Sequence, residues 1–230
     1  MRWSRAGLVA LLCALASISR AGVDPGSAKA PRVDFVPPAP GSYQLQRIQL
    51  CPDGVLLDAQ ARTSRLSSYT TGKITLLTFF YTYCHDPWGC PFAYQTLTGL
   101  RARLLSEPEL ARRVRFVSVS FDPTHDTPAV LQRYERPLKD DSRLEWRFLT
   151  ARSVAELMPV LDGFGQDVSV VIDERGRPTR TVDHMLKLFL IDRHGIVREI
   201  YSLAFLQPQM MLNDIKTLAL DESAGLTAVR

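Results

Sequence analysis

The chain has 230 residues, 46% of them hydrophobic and 23% charged, and a formal net charge of +4. That length and balance suffice for one buried core and exclude a fibrous or wholly disordered chain. The basic excess is no argument for nucleic acid as a partner. Three of its arginines, Arg2, Arg5 and Arg20, lie in an N-terminal stretch without acids, and the charge is +1 without it.

The chain opens with "MRWSR", an apolar run "AGLVALLCALASI" and "SRA". A charged start, a short apolar centre and small residues at the end make residues 1–21 a secretory signal peptide, cut near Ala21, and the mature chain periplasmic or otherwise exported. The run is short for a bilayer span, so retention as a membrane anchor facing the periplasm is the alternative. Cys13 is apolar filler within the leader. Residues 22–42, rich in Pro, Gly, Ala and Ser, read as a linker. The folded domain then covers 43–222, with a tail at 223–230.

Within that domain "KITLLTFFYTY" (73–83) is a β-branched and aromatic run suited to a buried central strand. "PFAYQTLTGLRARLL" (91–105) sets Ala93, Leu97, Leu100 and Leu104 on one helical stripe. "VRFVSVSF" (114–121) is a second buried strand, and "TPAVLQRYERPL" (127–138) is a helix with Thr127 as N-cap and Pro128 in its first turn. "WRFLT" (146–150) is a short strand. "SVAELMPVLDGFG" (153–165) pairs Ser153 with Glu156 as a capping box and stops at glycine. "LKLFLID" (186–192) and "IVREIYSL" (196–203) form a hairpin, followed by a helix over about 207–220. The pattern predicts an α/β fold: a thioredoxin-like sandwich whose mixed central sheet is flanked by helices, with an N-terminal hairpin.

After removal of the leader the cysteines are Cys51, Cys84 and Cys90, an odd number for an oxidising compartment. "YTYCHDPWGCPFAYQ" (81–95) places Cys84 just past a strand and Cys90 at the N-cap of the helix that Pro91 opens. Helix N-termini favour thiolate, which predicts a lowered pKa at Cys90. A thiolate is both a nucleophile and a soft metal ligand, so three readings stand: a redox-active pair, a structural bridge, or half of a metal site.

The blocks "FFYTYC" then "CP", "VSVSFDPTHDTPAVLQRY", "WRFLT" and "VDHMLKLFLID" resemble, in order and spacing, the Sco/SenC family of copper chaperones over about residues 45 to 220. The resemblance implies a thioredoxin-like fold that binds copper, as Cu(I) or Cu(II), through Cys84, Cys90 and His184. It also implies delivery to the dinuclear copper centre of cytochrome c oxidase, with subunit II as client, and a thioredoxin-like reductant as a further partner. The family loop has three residues between its cysteines; this chain has five, which makes His85 a possible additional ligand. Thiolates suit Cu(I) and imidazole suits either oxidation state, so a Cys2His set serves both. Asp183 is a possible outer-sphere acceptor for His184, although neighbours in an extended segment face opposite ways. By the same alternation Met185 is no ligand, and Met210 and Met211 are core filling. His125 and His194 read as turn residues, Asp122 and Asp126 as turn and cap signals, and Cys51 as a lone thiol. The rival functions are a metal-free thiol–disulfide reductase working through Cys84 and Cys90 and, third, a thiol peroxidase.

Overall fold

The computed structural model describes residues 35–138 and 143–227. The expected leader and most of the expected linker lie outside them. In chain order the strands are β1 (Gln49–Leu50), β2 (Val55–Asp58), β3 (Thr63–Arg65), β4 (Ile74–Phe80), β5 (Val114–Ser120), β6 (Glu145–Thr150), β7 (Val168–Ile172), β8 (Pro178–His184), β9 (Lys187–Ile191) and β10 (Ile196–Ser202). Eight of them form one mixed sheet in the order β1-β10-β9-β4-β5-β6-β2-β3, and β7 and β8 form a separate antiparallel ribbon. The helices are α1 (Ser67–Thr70), α2 (Cys90–Leu105), α3 (Pro108–Arg113), α4 (Pro128–Glu135), α5 (Val154–Gly163) and α6 (Pro208–Thr227).

β4, β5 and β6 run parallel, with β9 antiparallel beside β4. All seven residues of β4 are buried, as its unbroken apolar run demands of a strand covered on both faces. Successive side chains alternate faces, so Phe79 and Phe80 feed two different aromatic clusters. Phe80 packs on Tyr134 of α4 and Phe148 of β6. Phe79 packs on Phe121, Phe164 and Phe189, with centroids 5.4 to 6.2 Å away. The second cluster leads to the site.

The expected stripe of α2 is buried, together with Phe92 and Thr96. Ser153 caps α5 by accepting the Glu156 N–H, and Thr127 occupies the N-cap of α4 in extended backbone without a side-chain capping bond. The expected N-terminal hairpin is β2–β3. Three features differ from the sequence reading. Residues of the expected linker dock on α6: Asn213 Nδ2 donates to the Pro38 carbonyl (2.8 Å) and the Gly41 N–H donates to Thr217 Oγ1 (3.0 Å). α6 itself continues to Thr227. The β7–β8 ribbon is an element that patterning did not announce, because its apolar residues Val170 and Ile172 are 50% and 55% exposed. No helix among the described residues is long and apolar enough to cross a membrane.

Candidate metal centre

Four residues beyond the end of β4 bring the chain to Cys84. The turn is held from below by Asp126, whose side chain is fully buried. Its carboxylate accepts the Thr82 N–H (3.0 Å), the Thr82 hydroxyl (2.5 Å) and the Ser120 hydroxyl (2.6 Å). This ties the exit of β4 to the exit of β5. The Cys84 N–H then donates to the Tyr81 carbonyl. The span between the cysteines closes as a turn over Asp86-Pro87-Trp88-Gly89: the Gly89 N–H donates to the Asp86 carbonyl (3.0 Å) and the Trp88 N–H to Asp86 Oδ1 (3.0 Å). Pro87 supplies the fixed φ that such a turn wants at its second position. A Cβ on Gly89 would stand 3.2 Å from Asp86 Oδ2, so the close approach favours glycine. Trp88 leans on Phe92 and is 43% exposed.

Gly89, not Cys90, is the N-cap of α2, and Cys90 is the first residue of the helix. Both cysteines are free thiols, Cys84 half-buried and Cys90 buried. The negative charge falls on Cys84 rather than on Cys90. The Cys90 thiol donates to Cys84, outweighing the cost of partial burial, and the Tyr81 hydroxyl and the backbone N–H groups of Cys90 and Asp86 add to it. Together they pull the Cys84 pKa down to about 5. Cys90, donating to that sulfur and buried, is pushed up instead. The helix terminus does favour thiolate, but its N–H reaches the sulfur of the more exposed partner.

His184 is the last residue of β8. Its ring rests 4.5 Å from that of Phe121 and 6.3 Å from Tyr81, edge to face with the latter. Its Nδ1 is buried without a hydrogen-bond partner. A cavity of about 650 Å³ opens in front of it, with Tyr81, Cys84, His85, Asp183 and His184 among its walls. Cys90 sits behind Cys84 and is not part of that lining. Among the described residues no three His, Cys, Asp or Glu side chains are gathered into a metal-binding group.

The other candidates fall as follows. His85 is exposed on the cavity rim. Asp183 is exposed and does not partner His184 Nδ1, as strand alternation requires. Met185 is 64% exposed, and Met211 is buried in the core. The Asp122 carboxylate receives the N–H groups of Thr124 and His125, and the His194 N–H donates to Asp192 in the β9–β10 turn. Cys51 is half-buried, its thiol pushed up to about 11 by burial. Two residues escaped the sequence reading. One is Asp126, which looked like a turn residue. The other is Tyr81, whose buried ring stands edge to face against Tyr83 (4.8 Å) and His184 (6.3 Å) and helps wall the cavity.

A mixed sheet with a dithiol where a central strand runs into a helix, and a histidine facing it from an added ribbon, defines a thioredoxin-like protein. The family model for SCO1/SenC matches residues 55–220, and the chain belongs to that family. No curated protein matches it. Among solved structures it is similar to apo Sco1 from Thermus thermophilus at 25% identity and TM-score 0.62, over 77% of this chain and 99% of that one. Bradyrhizobium japonicum ScoI with copper bound is 24% identical with TM-score 0.58, over 73% and 98%. BsSco, reported with a disulfide switch and as a member of the Sco family of cytochrome c oxidase assembly proteins, is 23% identical with TM-score 0.57, over 76% and 98%.

Proposed function

We propose that this chain is an exported metallochaperone that carries copper to, or reduces, a copper site of a respiratory enzyme, with cytochrome c oxidase subunit II as client. The observation that carries the reading is the pairing of Cys84 with His184 across one cavity, the histidine offering a buried nitrogen that no protein group uses. Copper is cargo here, and Cys84, Cys90 and His184 are its ligands. A thiolate pair suits Cu(I), and the added imidazole suits Cu(II). Capture requires the ribbon and the cysteine loop to close on each other, since the three groups are not gathered beforehand. A thioredoxin-like partner keeps the pair reduced, its own dithiol becoming a disulfide as the Cys84–Cys90 disulfide opens.

The thiol–disulfide reductase reading is favoured by a separate observation, the asymmetry of the pair. Half-exposed Cys84 is the attacking sulfur, forming a mixed disulfide as a client thiolate leaves. Buried Cys90 then attacks Cys84, its proton passes to the second departing client sulfur, and the client is left as a dithiol. One experiment separates the two. Copper is measured in the exported protein, and parent, His184→Ala and His85→Ala are compared by anaerobic Cu(I) competition and by Cu(II)–thiolate absorption. His184→Ala should lose Cu(II) far more than Cu(I). If it keeps the full Cu(II) spectrum while His85→Ala abolishes it, the ligand assignment is wrong. A parent that holds no copper yet reduces a disulfide substrate overturns the chaperone reading.

A further inference from the structure

The strands β7 and β8 pair with each other and with no strand of the main sheet, so the place of His184, the last residue of β8, is set at the root of the ribbon. One side chain there is almost fully enclosed, that of Gln166, 3% exposed. Its backbone N–H donates to the Leu161 carbonyl in the last turn of α5 (2.9 Å). Its side-chain Nε2 donates across the root to the Met185 carbonyl (3.0 Å) and, at longer range, to the Asp167 carbonyl (3.4 Å). Both partners only accept, so the amide nitrogen must face them and the oxygen must turn away. That oxygen, Oε1, is buried without a hydrogen-bond partner.

A buried amide that uses one end and strands the other adds little to stability, because the stranded acceptor offsets what the bond contributes. An apolar side chain would fill the same place without that cost. What the amide adds is position: it fixes the plane of the peptide that joins Met185 to Leu186, immediately past His184. We propose that Gln166 is the positioning residue for His184, tying the chain just beyond the histidine to the end of α5 and so seating the imidazole against Phe121, 4.5 Å away, in front of the cysteine loop. The ligand role of His184 rests on the metallochaperone reading above. The tie does not, and its decisive readouts use metal-free protein so that the two can fail separately.

Gln166→Met keeps the length of the side chain and removes the donor and the stranded oxygen together. The two losses offset each other, so Tm should stay within about 3 °C of the parent. In the reduced, metal-free protein the His184 ring protons, displaced by the ring current of Phe121, should move toward the values of an unfolded peptide. The amides that pair β7 with β8 should exchange about tenfold faster. With copper, Cu(II) affinity should fall about tenfold while Cu(I) affinity stays within about twofold, because Cu(II) needs the imidazole more. Asn213→Ala is the control: Asn213 is 6% exposed and ties the Pro38 carbonyl to α6 (2.8 Å). It should lower Tm and leave the His184 signals and the ribbon amides as in the parent. A displaced histidine and faster ribbon amides at a preserved Tm uphold the assignment. Unmoved His184 signals, ribbon exchange within about twofold of the parent, or equal changes in Asn213→Ala refute it. A larger fall in Tm with the main-sheet amides accelerated alike also refutes it, since Gln166 would then support the whole fold and not the histidine. A parent that binds no copper sinks the metallochaperone reading and leaves the metal-free result standing.

Discussion

Replacing Asp126 tests how the cysteine loop is held. The carboxylate receives three donors, and two of them have nowhere else to turn: the Thr82 N–H, fixed by the backbone, and the hydroxyl of Ser120, which is fully buried. Stranding a buried donor costs about 1–3 kcal/mol, so Asp126→Ala should lose about 4 kcal/mol. In a domain of this size each kcal/mol lowers Tm by about 2–4 °C, which makes the expected drop about 8–16 °C. Asp126→Asn can turn its oxygen to the Thr82 N–H and Ser120 and give its amide protons to Thr82 Oγ1, so it should cost only about 1–2 kcal/mol. Urea unfolding with an unchanged m-value measures both. An alanine variant within about 1 kcal/mol of the parent, or an asparagine variant as damaged as alanine, would show that the clamp is not what anchors the loop.

Two further outcomes can be checked with the same instruments. Burial works against ionisation of Asp58, but hydrogen bonds from Arg62 and Gln60 outweigh it and hold the carboxyl below its ordinary range. A depressed folded pKa stabilises above the unfolded value of about 3.9 and loses that contribution as pH falls through the folded one. Stability should therefore decline from about pH 5 downward, and Asp58→Asn should flatten the decline; an identical acid limb in the variant would contradict the assignment. Gly163, near the end of α5, lets Pro52 approach so closely that a Cβ would lie 2.6 Å from the proline Cβ. Gly163→Ala should therefore destabilise by about 1–3 kcal/mol despite alanine's better helix propensity. A stabilised variant in thermal melts would mean that Pro52 yields.

The core strands were legible because burial on both faces leaves no room for polar residues in "ITLLTFF", and α2 because its buried stripe repeats at helical spacing. The ribbon was not legible, because exposed Val170, Val171 and Ile172 answer to no core and show no alternation. His184 was found through the resemblance of its "DH" block rather than through any local signal. Asp122 and Asp126 stand four apart in one turn-rich stretch, and their residue types do not tell which one folds inward. In the folded chain Asp126 turns inward to Thr82 and Ser120, and Asp122 accepts the Thr124 and His125 N–H groups. The thiolate was expected one cysteine too late for a related reason. The helix N-terminus was recognised, but which sulfur its N–H would meet depends on the shape of the Asp86–Gly89 turn.

In the oxidising compartment proposed for this chain a third cysteine beside the dithiol would invite scrambling, and the placement of Cys51 works against it. Its N–H bonds to the Gly195 carbonyl in the turn beyond β9, at the end of the sheet opposite the dithiol. The seven residues of β4 alone put about 23 Å between those ends, several times the reach of a disulfide. Chemistry adds to distance. Burial pushes the Cys51 thiol up while its neighbours pull Cys84 down, so Cys84 is the more ionised of the two and the sulfur that an incoming disulfide meets first.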